Sequence, residues 1–254
     1  MIPRRCPVPR HVSSKWKKTA ALMGSVSLRR LVPETIRFEG AKLRSTLERY
    51  GMVYIKPESG THGKGVMRAE ILGNGRYRLR YGKRTQTYSS CGAMADEIRR
   101  SIRGRRYLIQ RGIRLLKHKG RVFDLRVMAQ LTPRKMWRTT GMIGRVAAPG
   151  KIVTNYHSGG RLVPVNRLLS GHMGENSARS TLRTLERIGV NAGQALRRKY
   201  PGVCEVGVDI GMDRSLKPWI IEVNTSPDPY IFRKLPDPSI FKRIRRYARA
   251  YGRK

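Results

Sequence analysis

The sequence predicts an α+β protein whose strands are joined largely as antiparallel hairpins. Several stretches alternate apolar and polar residues as strands do, and two pairs of them are separated by turn sequences, at residues 73–75 and 213–218. Other stretches repeat apolar residues every three or four positions, which is typical of amphipathic helices. A chain of 254 residues can form one large domain or two closely packed lobes.

The composition is that of a folded but strongly basic protein. Hydrophobic residues make up 39% of the chain, which is ordinary for a globular protein and argues against general disorder. The chain has 55 Lys and Arg residues against 16 Asp and Glu, so its formal net charge is +39. We therefore expect polyanionic surroundings: nucleic acid, an anionic polymer or surface, or an acidic substrate.

The sequence also predicts a cytoplasmic location. It has no run of about 18 apolar residues that could span a membrane, and no apolar stretch follows the basic N-terminal residues as in a secretion signal. Cys6, Cys91 and Cys204 are scattered, odd in number and without metal-ligand spacing. We interpret them as reduced thiols of an intracellular protein.

The first half of the chain begins with an irregular basic arm, predicted over residues 1–14. Apolar spacing then predicts three helices, from Lys15 to about Leu31, around residues 43–50 with Gly51 as its end, and over residues 93–102. Alternation predicts four strands, over residues 52–56, 65–72, 76–81 and 107–110.

The second half is predicted to contain longer elements. Strands are expected over residues 121–131 and 136–147, followed by a helix that starts at Ser177 and ends before Pro201. The closing residues 238–254 are predicted to form an amphipathic helix with one apolar and one basic face. This helix could simply dock on the protein with a solvated basic face, or bind a membrane surface or nucleic acid.

The two apolar strands that flank the turn 213–218 each contain an acidic residue. If the turn is centred at residues 215–216, antiparallel pairing puts Asp209 opposite Glu222, and Asn224 shares the face of Glu222. A partly buried pair of carboxylates must be neutralised. Two carboxylates and an amide oxygen suit Mg²⁺. The alternative is that both carboxylates pair with arginines.

A loop rich in glycine and hydroxyl groups, residues 58–65, lies between two predicted strands. A P-loop would need a different glycine spacing and a following helix. Such a loop could close over phosphates through its backbone N–H groups and Lys64, or it could be a plain glycine-rich hairpin.

Taken in order, these pieces resemble the ATP-grasp superfamily of ATP-dependent ligases, and within it the YheC/YheD family, described as endospore coat-associated proteins. The match covers roughly residues 15–228. It is carried, in chain order, by Lys56-Pro57 at the end of a strand, the glycine loop, Gln110, Asp124-Leu-Arg126, a loop with Asn155 and two glycines, Gly-Val-Asp209, and Ile-Glu222-Val-Asn224.

The resemblance implies an ATP-grasp fold, in which two α+β lobes with mainly antiparallel sheets clasp a nucleotide between them. The implied divisions are the basic arm 1–14, an N-terminal lobe 15–113 with the glycine loop 58–65 and a hinge near 110–113, a C-terminal lobe 114–230 with the metal site, and a basic amphipathic C-terminal helix within 231–254. Because only residues 1–55 precede Lys56, we expect an acceptor site that is truncated, supplied by a partner or open to a large polymer.

The resemblance also implies roles for individual residues. Those that would bind ATP are Lys15, Lys56, Ser59, Gly60, Gly63, Lys64, Gly65, Gln110, Gly112, Ile113 and Asn155, with the adenine read by the hinge backbone. Those that would bind Mg²⁺ are Asp209, Glu222 and Asn224. Arg126 and Arg145 would face the transferred phosphate or the acid substrate, although Arg126 could instead pair with Asp124.

The implied function is an Mg·ATP-dependent ligase that converts a carboxylate into an acyl phosphate and joins it to an amine, at the spore coat if it follows the family. Two other functions remain open at this point. One is a non-catalytic basic protein that binds an anionic polymer or nucleic acid on the same scaffold. The other is a kinase that transfers phosphate to a hydroxyl group.

Overall fold

A computed structural model of the chain describes residues 10–61, 63–154, 156 and 159–253. Within them, the α-helices are α1 (Lys15–Met23), α2 (Gly40–Tyr50), α3 (Cys91–Ile102), α4 (Val165–Leu169), α5 (Glu175–Lys199) and α6 (Pro238–Ala250). Two 3₁₀ helices cover Arg29–Leu31 and Tyr230–Lys234.

The strands of the described residues fall into two antiparallel sheets. The N-terminal sheet has the order β1-β6-β2-β3-β4-β5 and consists of β1 (Thr35–Arg37), β2 (Met52–Pro57), β3 (Met67–Ile71), β4 (Tyr77–Tyr81), β5 (Arg84–Tyr88) and β6 (Tyr107–Arg111). The C-terminal sheet has the order β10-β9-β8-β11-β12, with β7 paired to β8. Its strands are β7 (Lys117–His118), β8 (Arg121–Leu131), β9 (Trp137–Val146), β10 (Arg161–Val163), β11 (Glu205–Met212) and β12 (Pro218–Asn224).

The mixture of helices with antiparallel sheets confirms the predicted α+β class. Most long elements lie where the periodicity put them, and β8 has the predicted bounds. The first helix was predicted too long: α1 ends at Met23, and a separate 3₁₀ helix follows at Arg29–Leu31. The C-terminal helix begins at Pro238, as its apolar pattern predicted, because Asp237 caps it and Pro238 favours the first helical turn; it ends at Ala250 and not at residue 254.

From residue 10 onwards, the chain first belongs to the C-terminal lobe, leaves it, and then returns. Val12, Leu22, Leu28 and Val32 belong to the hydrophobic core beneath the C-terminal sheet. Sequence reasoning placed residues 15–113 in the N-terminal lobe, because the amphipathic pattern of α1 shows which face is buried but not against what. The N-terminal sheet, with α2 and α3 packed on it, begins only at β1 and has a separate core.

The two crossings between the lobes lie side by side. The outgoing chain passes Glu34, and the returning chain passes Arg111, whose backbone N–H donates to the carbonyl of Glu34 at 2.8 Å. Beyond these crossings, Val32 and Leu116 both enter the core of the C-terminal lobe. The N-terminal lobe is therefore attached through a two-stranded connection.

The two faces of the C-terminal sheet have different coverings. Val127 and Ala129 of β8 point towards α5, whose Gly189 allows close approach. The opposite face carries Asp124 and Arg126 at one end of β8, and Met128 and Gln130 at the other. α6 covers the second end, where Gln130 donates to the carbonyl of Ile244 at 3.1 Å.

The helices of the described residues include none with the length and apolar character needed to cross a membrane. Cys91 and Cys204 are free thiols, and Cys6 lies outside the described residues, as does the arm up to residue 9. Residues 10–14 form neither helix nor strand.

Candidate functional site

A cleft between the two sheets brings most of the predicted site residues together. One part is lined by side chains of both sheets, among them Lys56 of the N-terminal sheet and Arg145 of the C-terminal sheet. The adjoining part lies under the glycine loop. Their shared wall carries Asp209 and Glu222.

The hairpin β11–β12 sets the acidic wall. Asp209 pairs directly with Glu222, as the sequence predicted, but the register shifts by one residue between Asp209 and Ile210. Such a bulge re-aims the side chains next to it. The turn is held by Asp213, whose carboxylate accepts from the backbone N–H of Ser215 and Lys217 and from the indole N–H of Trp219.

Arginines neutralise the Asp209 carboxylate in this structure. Arg126 forms a bidentate ion pair with this carboxylate, and Arg145 Nη2 lies 3.0 Å from Asp209 Oδ2. Burial raises the pKa of Asp209, but the two guanidinium groups outweigh it and hold the pKa below its usual value. The arginine alternative therefore describes the present partners of Asp209.

The alternative that pairs Arg126 with Asp124 does not hold in the structure. The carboxylate of Asp124 binds Arg145, with Nε–Oδ1 and Nη2–Oδ2 distances of 2.8 and 2.6 Å, and not Arg126. Burial lowers the pKa of Arg145, yet Asp124 and Asp209 outweigh it and raise the pKa above its ordinary value. Arg145 is thus a permanently charged bridge between two buried carboxylates.

Two lysines from different elements lie near the acidic wall formed by Asp209 and Glu222. Lys56, at the end of β2, is buried and donates to Gln110 Oε1 at 2.6 Å. Burial lowers the pKa of Lys56 to about 8, with Glu222 opposing this change and Lys15 adding to it. Lys15, at the start of α1, donates to the Gly60 carbonyl at 2.8 Å and lies 3.6 Å from Glu222 Oε1. Lys15 therefore links the glycine loop to the acidic wall.

The glycine loop folds over the second part of the cleft. Gly60, Gly63 and Gly65 have φ values of +134°, +69° and +79°, which side chains rarely adopt. Gly63 also approaches Val153 of the C-terminal lobe so closely that a Cβ would lie 3.3 Å from its methyl group. Lys64 is exposed at the rim and lines the cleft, whereas Ser59 is exposed and does not line either part.

The predicted hinge is only partly available to a ligand. The Gly112 N–H donates to the Met52 carbonyl at 2.9 Å, and the Arg111 N–H binds Glu34, so neither faces the cleft as a free donor. Ile113 is buried on the cleft wall, and the side chain of Gln110 accepts from Lys56. Gly112 therefore has a packing role, since a Cβ there would lie 2.7 Å from the Met52 side chain.

The donor set for a metal is compatible with Mg²⁺. Asp209, Glu222 and Asn224 all line the part of the cleft under the glycine loop. Among the described residues, no cluster of three or more His, Cys, Asp and Glu side chains is placed to hold a metal ion by itself. Two carboxylates and one amide oxygen are the hard ligands that Mg²⁺ accepts while keeping positions for other oxygens. Asn155 lies outside the described residues.

Sequence reasoning missed three contributors to the site. Lys18, one turn after Lys15, is buried near Glu222, and burial lowers its pKa. Its spacing from Lys15 was the available signal. Thr154 donates to Asp124 at 2.6 Å. Arg111 lies between the rings of Tyr50 and Trp219, at 4.8 and 4.9 Å from their centroids, and no sequence pattern indicated this stacking.

Comparison with known proteins places this architecture in a family. A family model described as YheC/D-like ATP-grasp matches residues 8–254. The endospore coat-associated protein YheD of Bacillus subtilis (strain 168) is 25% identical over 189 residues, which cover 72% of this chain and 41% of that protein. The chain thus matches less than half the length of this curated relative.

Proposed function

Because the chain belongs to the YheC/D-like ATP-grasp family, we propose that it is an Mg·ATP-dependent ligase that joins a carboxylate to an amine. ATP-dependent carboxylate–amine ligation is the general activity of ATP-grasp enzymes. The observation that carries the proposal is the convergence of Lys15, Lys56, the glycine loop and the Asp209–Glu222 pair on one cleft between two sheets.

The nucleotide base occupies the part of the cleft next to the hinge. Its wall combines apolar side chains, among them Ile113, Leu115 and Ile221, with polar groups at one end. This mixture suits a flat heterocycle with hydrogen-bonding edges. The backbone of Ile113 reads the adenine edge, because the N–H groups of Arg111 and Gly112 are both used within the fold.

The triphosphate lies under the glycine loop. Lys56 and Lys15 supply fixed positive charge, and the loop supplies backbone N–H groups. Mg²⁺ held by Asp209, Glu222 and Asn224 would neutralise phosphate charge and align the phosphates for transfer. Arg126 and Arg145 lie beside these ligands and orient the acid substrate, since a planar guanidinium binds a carboxylate or an acyl phosphate through two parallel hydrogen bonds.

The reaction then has two steps. A carboxylate oxygen of the acid attacks the γ-phosphorus of ATP, and ADP leaves. The amine attacks the carbonyl carbon of the resulting acyl phosphate, phosphate leaves, and the new amide nitrogen loses a proton. Arg126 and Arg145 stabilise the negative charge that moves between these groups.

Calorimetry tests the nucleotide site directly. We expect wild type to bind Mg·ATP and Glu222→Ala to lose Mg²⁺-dependent binding by at least tenfold, because one of two metal carboxylates is removed. Glu186→Ala, an exposed acid on α5 at the other face of the sheet, is the matched control. Equal binding by all three proteins would refute the proposed metal site.

The reaction type is tested by trapping. Candidate acids are screened for ADP release, and hydroxylamine is added to the active mixtures. An acyl phosphate forms a hydroxamate under these conditions, whereas the phosphate ester made by a kinase does not. A stable phosphate ester as the product would replace the ligase proposal with a kinase.

The description of YheD as endospore coat-associated motivates a proposed location. The chain is made in the cytoplasm and acts at the endospore coat. Immunodetection in coat extracts and in the cytoplasmic fraction of sporulating cells tests this, and absence from the coat extract would contradict it.

A further inference from the structure

The surface around α6, near the cleft, is strongly basic. Residues 229–253 contain one acidic residue, Asp237, and its carboxylate caps α6. We call the α6 surface the side chains of Arg233, Lys234, Lys242, Arg245, Arg246 and Arg249. Five of the six are exposed and Arg245 is half-buried. Apart from Asp237, their charge has no acidic counterpart within this segment.

The α6 surface adjoins the cleft through shared packing. Ile231, in the 3₁₀ helix Tyr230–Lys234, lines the cleft and also packs with Ile244 of α6 in one hydrophobic cluster. α6 covers Gln130 on the sheet face that carries Arg126. Gln130 and Arg126 are four positions apart on β8, which is about 13 Å along the strand. The α6 surface therefore lies on an element that is packed next to the cleft.

Resting on the proposed ligase function, we propose that the acid substrate is an acidic polypeptide that lies along the α6 surface and extends one carboxylate into the cleft. The spacing of the cations supports a polypeptide. Lys242, Arg246 and Arg249 form one helical stripe with about 5–6 Å between neighbours. An extended polypeptide presents side chains on one side every ~6.6 Å, and long basic side chains absorb the difference.

Nucleic acid fits this arrangement less well. Its backbone would satisfy the positive charge, but it has no carboxylate for the adjoining cleft to activate. The proximity of the α6 surface to the proposed carboxylate site therefore favours a polymer whose own charges are carboxylates. Exposed arginines on α5 provide an internal comparison, because that helix covers the opposite face of the sheet.

Binding of fluorescently labelled poly-L-glutamate, followed by anisotropy at about 50–200 mM salt, tests the proposal. The test variant carries Lys242→Gln, Arg246→Gln and Arg249→Gln. The control carries Arg183→Gln, Arg187→Gln and Arg198→Gln, the same charge change at exposed positions of α5. We expect the test variant to bind about tenfold more weakly, because three exposed charge pairs are lost. The control should change by less than about twofold.

Three results would overturn the proposal: equal weakening in both variants, no binding of poly-L-glutamate to wild type, or α6-dependent binding of oligo(dT) or polygalacturonate alone. A supporting result also requires that poly-L-glutamate, and not free glutamate, stimulates ADP release. Mg·ATP calorimetry on the same samples distinguishes a failure of the proposed ligase function from a failure of the proposed polypeptide substrate. Absent Mg·ATP binding contradicts the ligase, whereas intact Mg·ATP binding without α6-dependent polymer binding contradicts only this inference. Circular dichroism confirms that both variants are folded.

Discussion

Lys56 is a cation whose chemistry the fold changes strongly. Its ammonium group is buried beside Gln110, and burial lowers its pKa from 10.5 to about 8, against the effect of Glu222. The unfolded chain therefore binds more protons than the folded chain between pH 8 and 10.5. Across that window, Lys56 makes the free energy of unfolding rise with pH.

The same shift predicts how nucleotide binding depends on pH. Mg·ATP should bind about tenfold or more weakly at pH 9.5 than at pH 7, because a neutral Lys56 loses a charge-assisted hydrogen bond of about 1.5–3 kcal/mol. Titration calorimetry at the two pH values measures this change. Lys56→Met should bind Mg·ATP weakly at both pH values. If Lys56→Met instead keeps the full pH dependence of binding, a group other than Lys56 is titrating.

Arg145 should be essential for stability as well as for substrate binding. Replacing it by Met leaves the carboxylates of Asp124 and Asp209 without a shared partner in a buried site. We expect a loss of about 3–5 kcal/mol in the free energy of unfolding, measured with urea. Arg138→Met, at an exposed position of the same strand, should cost less than about 0.5 kcal/mol. Similar losses in both variants would show that the bridge contributes nothing specific.

At the scale of elements, α5 lies close to the sheet because two of its residues lack side chains. A Cβ at Gly193 would lie 2.3 Å from the Trp137 ring, and one at Gly189 would lie 2.7 Å from Val127. The two glycines lower the intrinsic helix propensity of α5, and the close packing against the sheet compensates for this cost. This close packing holds β8 and β9, which carry the arginines of the site.

Gly193→Ala should therefore destabilise the protein by about 1–3 kcal/mol through overpacking, despite the better helix propensity of alanine. Gly92→Ala in α3 is the control, because the nearest atom to its new Cβ would be Ser90 Oγ at 3.8 Å. That change should be neutral or stabilising by up to about 1 kcal/mol. Thermal and urea unfolding measure both. A neutral Gly193→Ala would mean that the Trp137 ring moves aside at no cost.

For the whole molecule, net charge is the dominant electrostatic feature. A formal charge of +39 on 254 residues repels itself in the compact state. We expect the melting temperature to rise between about 50 and 500 mM NaCl, because salt screens this repulsion. The α5 variant with three arginines replaced by Gln should show a smaller rise. A melting temperature that falls with salt would mean that screened ion pairs outweigh the repulsion.

What the sequence could predict depended on how local each signal was. The alternation in Arg121–Leu131 fixed β8, and the turn at Asp213 fixed the facing of Asp209 and Glu222. β5 was missed because four of its five residues are exposed and leave no apolar pattern. Three-residue strands such as Thr35–Arg37 are too short to show periodicity.

The partners within the site were beyond local reasoning. Arg126 reaches Asp209 because β8 and β11 are neighbours in the sheet, although 83 residues separate them in the chain. Arg145 reaches both acids because β9 lies on the other side of β8. Strand order, and not residue spacing, decides which guanidinium meets which carboxylate. Pairs of this kind follow only from the assembled sheet.

The paired crossings at Glu34 and Arg111 make the N-terminal lobe an insert within the C-terminal lobe. Its two ends leave and re-enter at one place, so we expect that excising it and joining Val32 to Leu116 through a short linker keeps the strand order of the remaining sheet. The inserted lobe is one uninterrupted segment of the described chain, whereas its host is assembled from the segments on both sides of it.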